Sequence, residues 1–285
     1  MFSSVEQIIN ESKSNNVSIW EMILQNDCVE TGKSFECAYE TMKQMYIAMK
    51  ESNDQYDERL KSHSGFVGGE ASKVKKRIAD GNMIAGVFCG KVAEKALRVA
   101  ESNACMKRIV AAPTAGSCGV VPAVLITAEE MMGFSEDDLT RALIISGGGG
   151  GVIATRASLS GAAGGCQAEI GAAASMAAAG LAFLMDGSGE EIMNASALAM
   201  KNMLGLACDP VGGLVEVPCV KRNVYGAINA VISCDLALAG VCSQIPVDEV
   251  YDAMNSIGKH MSDTIKETAK GGLAITPTGI RMAGL

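Results

Sequence analysis

The sequence predicts an all-α fold, a single domain whose helices cross closely around a buried centre. Three observations carry that reading. Period-two alternation of β-branched residues, the mark of a strand, is almost absent from the 285 residues. Apolar residues recur instead at three- and four-residue steps, as one face of a helix requires. The hydrophobic 48% holds only 4% aromatic residues beside 32 glycines, so the core must be built from small side chains that let helix axes approach.

From Val5 to about Leu60 the chain is charged and periodic. Phe35, Ala38, Tyr39, Met42, Met45, Tyr46 and Met49 fall on one face, which makes this stretch a surface helix with one buried stripe. Three glycines within 62–69 then break helical continuity, and 71–79 resumes it. That loop is the first boundary. After residue 81, Gly and Ala fall where Leu would be expected, and helices are predicted at about 91–108, 119–132, 136–145, 166–185, 190–205, 223–241 and 247–261. Ser146 to Gly151, a serine and five glycines, is read as a break between helices. The strand contenders are Arg108-Ile109-Val110 and Val215-Glu216-Val217. The tail from Gly271 reads as a loop.

Composition excludes several classes. A chain of this length buries a core without needing disulfides or metal to fold. With 24 basic against 32 acidic side chains, net −8, it lacks the positive surface of a phosphate-backbone binder, so no nucleic-acid partner is expected. Ten cysteines could suggest a disulfide framework, but such scaffolds are short and secreted, and the opening Met-Phe-Ser-Ser-Val-Glu-Gln is polar where an export signal needs a basic then an apolar run. The expected compartment is the reducing cytoplasm. Gly171 to Met185 is about five residues short of a ~20-residue membrane span and is flanked by Gln167, Glu169 and Asp186. It reads as a closely packed buried helix, with no membrane partner.

Most breaks between helices carry glycine and polar residues: 64–69, 112–119, 146–151, 161–169 and 208–223. Backbone N–H groups exposed beside helix N-termini suit an anion such as a small carboxylate. Cys166, Cys208 and Cys219 lie in these loops. Thiolates there could turn toward one soft metal centre, or could simply fill core space as free cysteines usually do. With no Cys-x-x-Cys pair, spacing alone leaves both readings open. Cys28, Cys37, Cys89, Cys105, Cys234 and Cys242, on or beside apolar helical runs, read as core filler.

The run Gly164-Gly165-Cys166-Gln167-Ala168-Glu169-Ile170-Gly171 is followed 42 positions after its cysteine by Cys208-Asp209-Pro210-Val211-Gly212-Gly213. Pro218-Cys219-Val220-Lys221-Arg222-Asn223 places a third cysteine 11 positions further on. With Ala112-Pro113-Thr114-Ala115-Gly116-Ser117 and the Ser64–Gly69 loop, these motifs closely resemble the iron–sulfur L-serine dehydratases, specifically the α subunit of the two-subunit form. The resemblance implies an oxygen-sensitive 4Fe–4S cluster on Cys166, Cys208 and Cys219, with one iron open. It implies β-elimination of water from L-serine to pyruvate and ammonia, and a separate β chain as partner. Residues 1–62 are then peripheral helices, and 63–285 the core that carries cluster and substrate, within one catalytic domain over 1–285. Single-chain relatives can offer a cysteine near the C-terminus to the fourth iron. This chain ends Gly279-Ile280-Arg281-Met282-Ala283-Gly284-Leu285 without one.

The remaining polar residues divide between two roles. His63, with a near-neutral intrinsic pKa, Ser64 and Lys221 are the catalytic candidates. Ser64, Gly65, Thr114, Ala115, Gly116, Ser117, Arg222 and Asn223 are the substrate-binding candidates, Arg222 through a two-pronged grip on a carboxylate. Ser, Thr and Asn also cap helices everywhere, and His260 reads as surface. A pyridoxal-phosphate dehydratase would need a Schiff-base lysine in a Ser-x-Lys-x-Arg-Gly type segment, which is missing, so the five glycines read as close helix packing. A non-catalytic subunit with zinc-bound or free thiols, and an L-threonine or L-cysteine lyase, remain the alternatives.

Overall fold

Serine begins most of the outer helices, because its hydroxyl satisfies first-turn N–H groups that have no partner within the helix. In the computed structural model, which describes residues 2–284, helices α1 (Val5–Asn15), α2 (Ile19–Thr31) and α3 (Phe35–Asp54) follow Ser4, Ser18 and Ser34, each accepting from a backbone N–H three positions on. Met1 and Leu285, the ends of the expected domain, lie outside the described residues. The chain continues with α4 (Glu70–Ala79), α5 (Gly86–Ala104), α6 (Val120–Met132), α7 (Glu136–Arg156), the single turn α8 (Gly161–Gly164), α9 (Ala172–Leu184) and α10 (Gly189–Lys201). It closes with α11 (Cys219–Leu238), α12 (Val247–His260) and α13 (Pro277–Met282). Among the described residues there is no strand, and the sole bridge pairs Cys208 with Lys266. The all-α expectation is met.

Helix α9 occupies the middle, packed by α6, α7, α10 and α11. Small residues make this possible. A Cβ on Gly180 would stand 2.5 Å from Ser146 Oγ and 2.9 Å from the Ala142 carbonyl of α7. A Cβ on Gly226 of α11 would stand 2.8 Å from Ile170. The N-terminal helices join the same core: Tyr46 and Met49 of α3 are buried with α6 and α9, and the Tyr46 hydroxyl donates to Glu129 at 2.8 Å.

Several expectations need correction. Helix α7 does not break at Ser146 but runs through all five glycines to Arg156. Each interior glycine weakens a helix by about 0.5–1 kcal/mol, yet Leu139, Thr140, Ala142 to Ile145 and Val152-Ile153 are buried on either side of the run. Gly148 also meets Ile23, and Gly150 meets Met176, so burial holds the segment helical. Arg108-Ile109-Val110 is irregular and pairs with no strand, and Val215-Glu216-Val217 lies in a turn closed by a Glu216 N–H bond to Leu214. The tail is partly helical, with a 3-10 turn at Gly272–Ile275 and then α13. The expected 166–185 helix opens with a wider π-type turn at Gln167–Gly171.

By length and composition, Ala115–Met132 and Gln167–Leu184 are apolar enough to cross a membrane, contrary to the length argument for the second. Their residues are 67% and 89% buried within the protein, which is what core helices show.

Candidate cysteine-lined active site

Three chain segments far apart in sequence bring Cys166, Cys208 and Cys219 together. Cys166 stands between the α8 turn and the π-type turn at Gln167: Gly165 adopts φ +74°, a left-handed conformation that favours glycine, and Gln167 then locks the segment down. The Gln167 N–H donates to Leu206, its Oε1 accepts from Gly205 and its Nε2 donates to Met254. Cys208 lies in the α10–α11 connection and exchanges two backbone bonds with the C-terminal segment, N–H to Ile265 and carbonyl from Glu267, both 2.8 Å. Cys219 is the first residue of α11. Relative exposures of 3%, 3% and 8% put all three out of bulk water.

Buried thiols normally stay protonated, because low dielectric penalises the thiolate. Burial pushes Cys219 up to about 12. The interaction between Cys166 and Cys208 raises Cys208 and lowers Cys166, and the Arg222 guanidinium adds to the lowering of Cys166. All ten cysteines are free.

The predicted polar residues fall into three groups. Thr114 and Ser117 cap one another, and the Thr114 hydroxyl donates to Glu169 Oε1 at 2.8 Å. Ala115 is exposed, while Gly116 lies against the Glu169 carboxylate. This loop borders the thiols through Glu169, whose Oε2 stands 3.8 Å from Cys208 Sγ. Arg222 donates to the Ala207 carbonyl at 2.7 Å and to Asp209 at 2.9 Å. Asp209 in turn accepts from the Leu273 N–H, so this pair fixes the Cys208 loop. Asn223 accepts from Gly119 and donates to Gly116 and Cys219, which consumes most of its capacity in tying the 112–119 loop to α11.

The 62–69 loop forms the third group. Ser62 and Ser64 both donate to Glu216 Oε2, three residues before Cys219, and Gly65 makes the turn at φ +78°. His63 between them is exposed. Lys221 does not join the thiols; it pairs with Glu70 at 2.8 Å. Sequence reasoning passed over Glu169, Glu216 and Asp209 as site residues, although Glu169 and Asp209 lie inside the cysteine motifs. Burial raises the Glu169 pKa against its bond from Thr114. Only the fold reveals Glu216, because its partners lie more than 150 positions away.

The family described as Serine dehydratase alpha chain matches residues 14–274. A probable L-serine dehydratase alpha chain of Bacillus subtilis is 43% identical over 98% of this chain and 93% of its own. The chain belongs to this family. The L-serine dehydratase alpha chain of Peptoniphilus asaccharolyticus is 37% identical over 98% of this chain and 96% of its own. A longer L-serine dehydratase of Helicobacter pylori is 37% identical over 96% of this chain, which spans 62% of that protein.

An iron–sulfur cluster, which the dehydratase resemblance implies, makes specific demands on these residues. It needs soft thiolate donors on flexible loops, shielded from water, each on a different iron. Cys166, Cys208 and Cys219 lie close enough to shift one another's pKa, and a Cβ on Gly161 would stand 3.0 Å from Cys208 Sγ. Among the described residues no three ligand side chains close tightly enough for a single metal ion. Three buried cysteine sulfurs on separate segments are the donor chemistry such a cluster takes.

Proposed function

We propose that this chain is the catalytic subunit of an L-serine dehydratase, eliminating water from L-serine so that the resulting enamine tautomerises and hydrolyses to pyruvate and ammonia. The observation that carries the reading is the gathering of three loop cysteines into one buried group, within a chain of the serine dehydratase family. Hydroxide leaves poorly and an amino-acid α-proton is weakly acidic, so both ends of the elimination need help. A 4Fe–4S cluster on Cys166, Cys208 and Cys219 would supply, when bound, an open iron as Lewis acid toward a hydroxyl oxygen.

The chain's own residues supply the rest. The 112–119 loop presents the Thr114 hydroxyl and the 115–116 backbone to the substrate, and Ser117, fully buried, braces Thr114 from within the loop. Arg222 and Asp209 hold the Cys208 loop in place. His63, carried on the turn that Glu216 anchors, takes the α-proton. Ser64 and Lys221 act on that neighbourhood through Glu216 and Glu70. A separate β chain completes the enzyme, a reading supported by the alpha-chain designation of the Bacillus and Peptoniphilus relatives. The free thiols support a reducing cytoplasmic setting.

The test is an anaerobic serine-to-pyruvate assay on the α chain co-expressed with its β chain, with iron measured on the same sample. About four irons per chain and serine-dependent pyruvate are expected. Replacing Cys166, Cys208 or Cys219 singly by Ser should remove iron and activity together, whereas Cys28→Ser should keep both. Colourless, iron-free protein after reconstitution with iron and sulfide would overturn the reading.

A further inference from the structure

Two carboxylates beside the site are paired with cations. Asp209 pairs with Arg222, and Glu70 with Lys221. Among the described residues Glu216 has no ion-pair partner, but two serine hydroxyls occupy one of its oxygens and it is only 7% exposed, so it is closed to a ligand. Glu169 is different. Among the described residues it has no ion-pair partner; its bonds are one hydroxyl from Thr114 and a long contact with the Cys208 thiol. A partly buried carboxylate is unfavourable unless a cation joins it.

Space is kept beside it. A Cβ on Gly161 would stand 2.6 Å from Glu169 Oε2 and 3.0 Å from Cys208 Sγ, and one on Gly116 would stand 3.2 Å from Glu169 Oε1. Neither glycine has a positive φ, so neither is required by its backbone conformation. Both serve to leave room between the carboxylate, the 112–119 loop and the thiols.

We propose that Glu169 binds the ammonium group of the amino-acid substrate, so that the enzyme selects α-amino acids over hydroxy acids at this carboxylate. The inference rests on the dehydratase reading. A bound ammonium supplies the missing cation and donates up to three hydrogen bonds, for which Glu169 oxygens and the Thr114 hydroxyl are acceptors. Seated there, it would hold the substrate's hydroxyl end toward the cysteine group.

The experiment compares L-serine with L-glycerate, in which a hydroxyl replaces the ammonium, on the anaerobic αβ holoenzyme. Affinities come from the KM for serine and from competitive inhibition by glycerate, with iron measured in parallel. Glu169→Gln should weaken serine by about tenfold or more and leave glycerate equal or tighter, at unchanged iron content. Gly116→Ala, which intrudes on the carboxylate away from the thiols, should shift the ratio the same way, and decides the matter if Glu169→Gln fails to hold iron. An unchanged serine-to-glycerate ratio in the iron-containing variants would overturn the assignment while leaving the dehydratase intact. A wild-type holoenzyme that loads iron but neither binds nor converts serine would overturn both.

Discussion

Glu216 shows how a residue with no chemistry of its own can govern a site. Its carboxylate gathers Ser62 and Ser64 and so fixes the exposed His63 between them. Misplacing a reacting group by about 1 Å can cost about 100-fold in rate. Glu216→Ala should therefore lower kcat by about 10- to 100-fold at unchanged iron content. Glu216→Gln, whose amide oxygen still accepts from both hydroxyls, should recover most of that loss. Equal damage from the two variants would mean that charge, not position, is what Glu216 provides. At this scale the sequence was informative where motif and cysteine group coincide: the three cysteines and Thr114 each stand within a run of distinctive neighbours, whereas Arg222, expected to grip a substrate carboxylate, instead holds the Ala207 carbonyl and Asp209. Lys221 stands in the same run, yet the helical turn of α11 points it toward Glu70. Glu216 was invisible, since nothing local announces a partner in the 62–69 loop.

Among the elements, glycine is where sequence and structure diverge most. Five consecutive glycines read as a helix break on propensity alone, but α7 continues because its apolar flanks are buried. Propensity is a weak prior that tertiary packing overrides. Two substitutions should therefore act with opposite signs. Gly149 is helical, has no positive φ, and an added Cβ would meet nothing within 4 Å. Gly149→Ala should stabilise by about 0.5–1 kcal/mol through helix propensity. Gly180→Val forces atoms into the Ser146 and Ala142 backbone-lined contact and should destabilise by about 1–3 kcal/mol or more. Denaturant unfolding of both variants checks the pair, and stabilisation by Gly180→Val would contradict close α7–α9 packing. Helices with periodic apolar faces were legible to within a few residues, as α12 shows: 247–260 observed against 247–261 expected. The 3-10 and π turns near the cysteines were not, because they follow from tertiary bonds such as that from the Gln167 N–H to Leu206.

Across the whole molecule, the cysteine group is a junction. Cys166 belongs to the α8–α9 segment, Cys219 to α11, and Cys208 to a connection that also carries the C-terminal segment through its bonds to Ile265 and Glu267. A cofactor bound to all three would tie these segments to the α9 core. A ligand that binds only the folded state stabilises it, by about 2.7 kcal/mol at a hundredfold excess over its dissociation constant, and for a domain of this size each kcal/mol raises the melting temperature by roughly 2–4 °C. The iron-loaded chain should therefore melt at least about 5 °C above the iron-free chain, measured anaerobically on the two forms of one preparation. Protection should concentrate in 202–218 and 263–273, where irregular backbone leans on Cys208 and Asp209, and hydrogen exchange there should slow on loading. The difference should persist in Cys28→Ser and vanish in Cys208→Ser. Identical melting of loaded and iron-free wild type would mean that the bound iron does not bridge these segments, and would move the cluster away from the group formed by Cys166, Cys208 and Cys219.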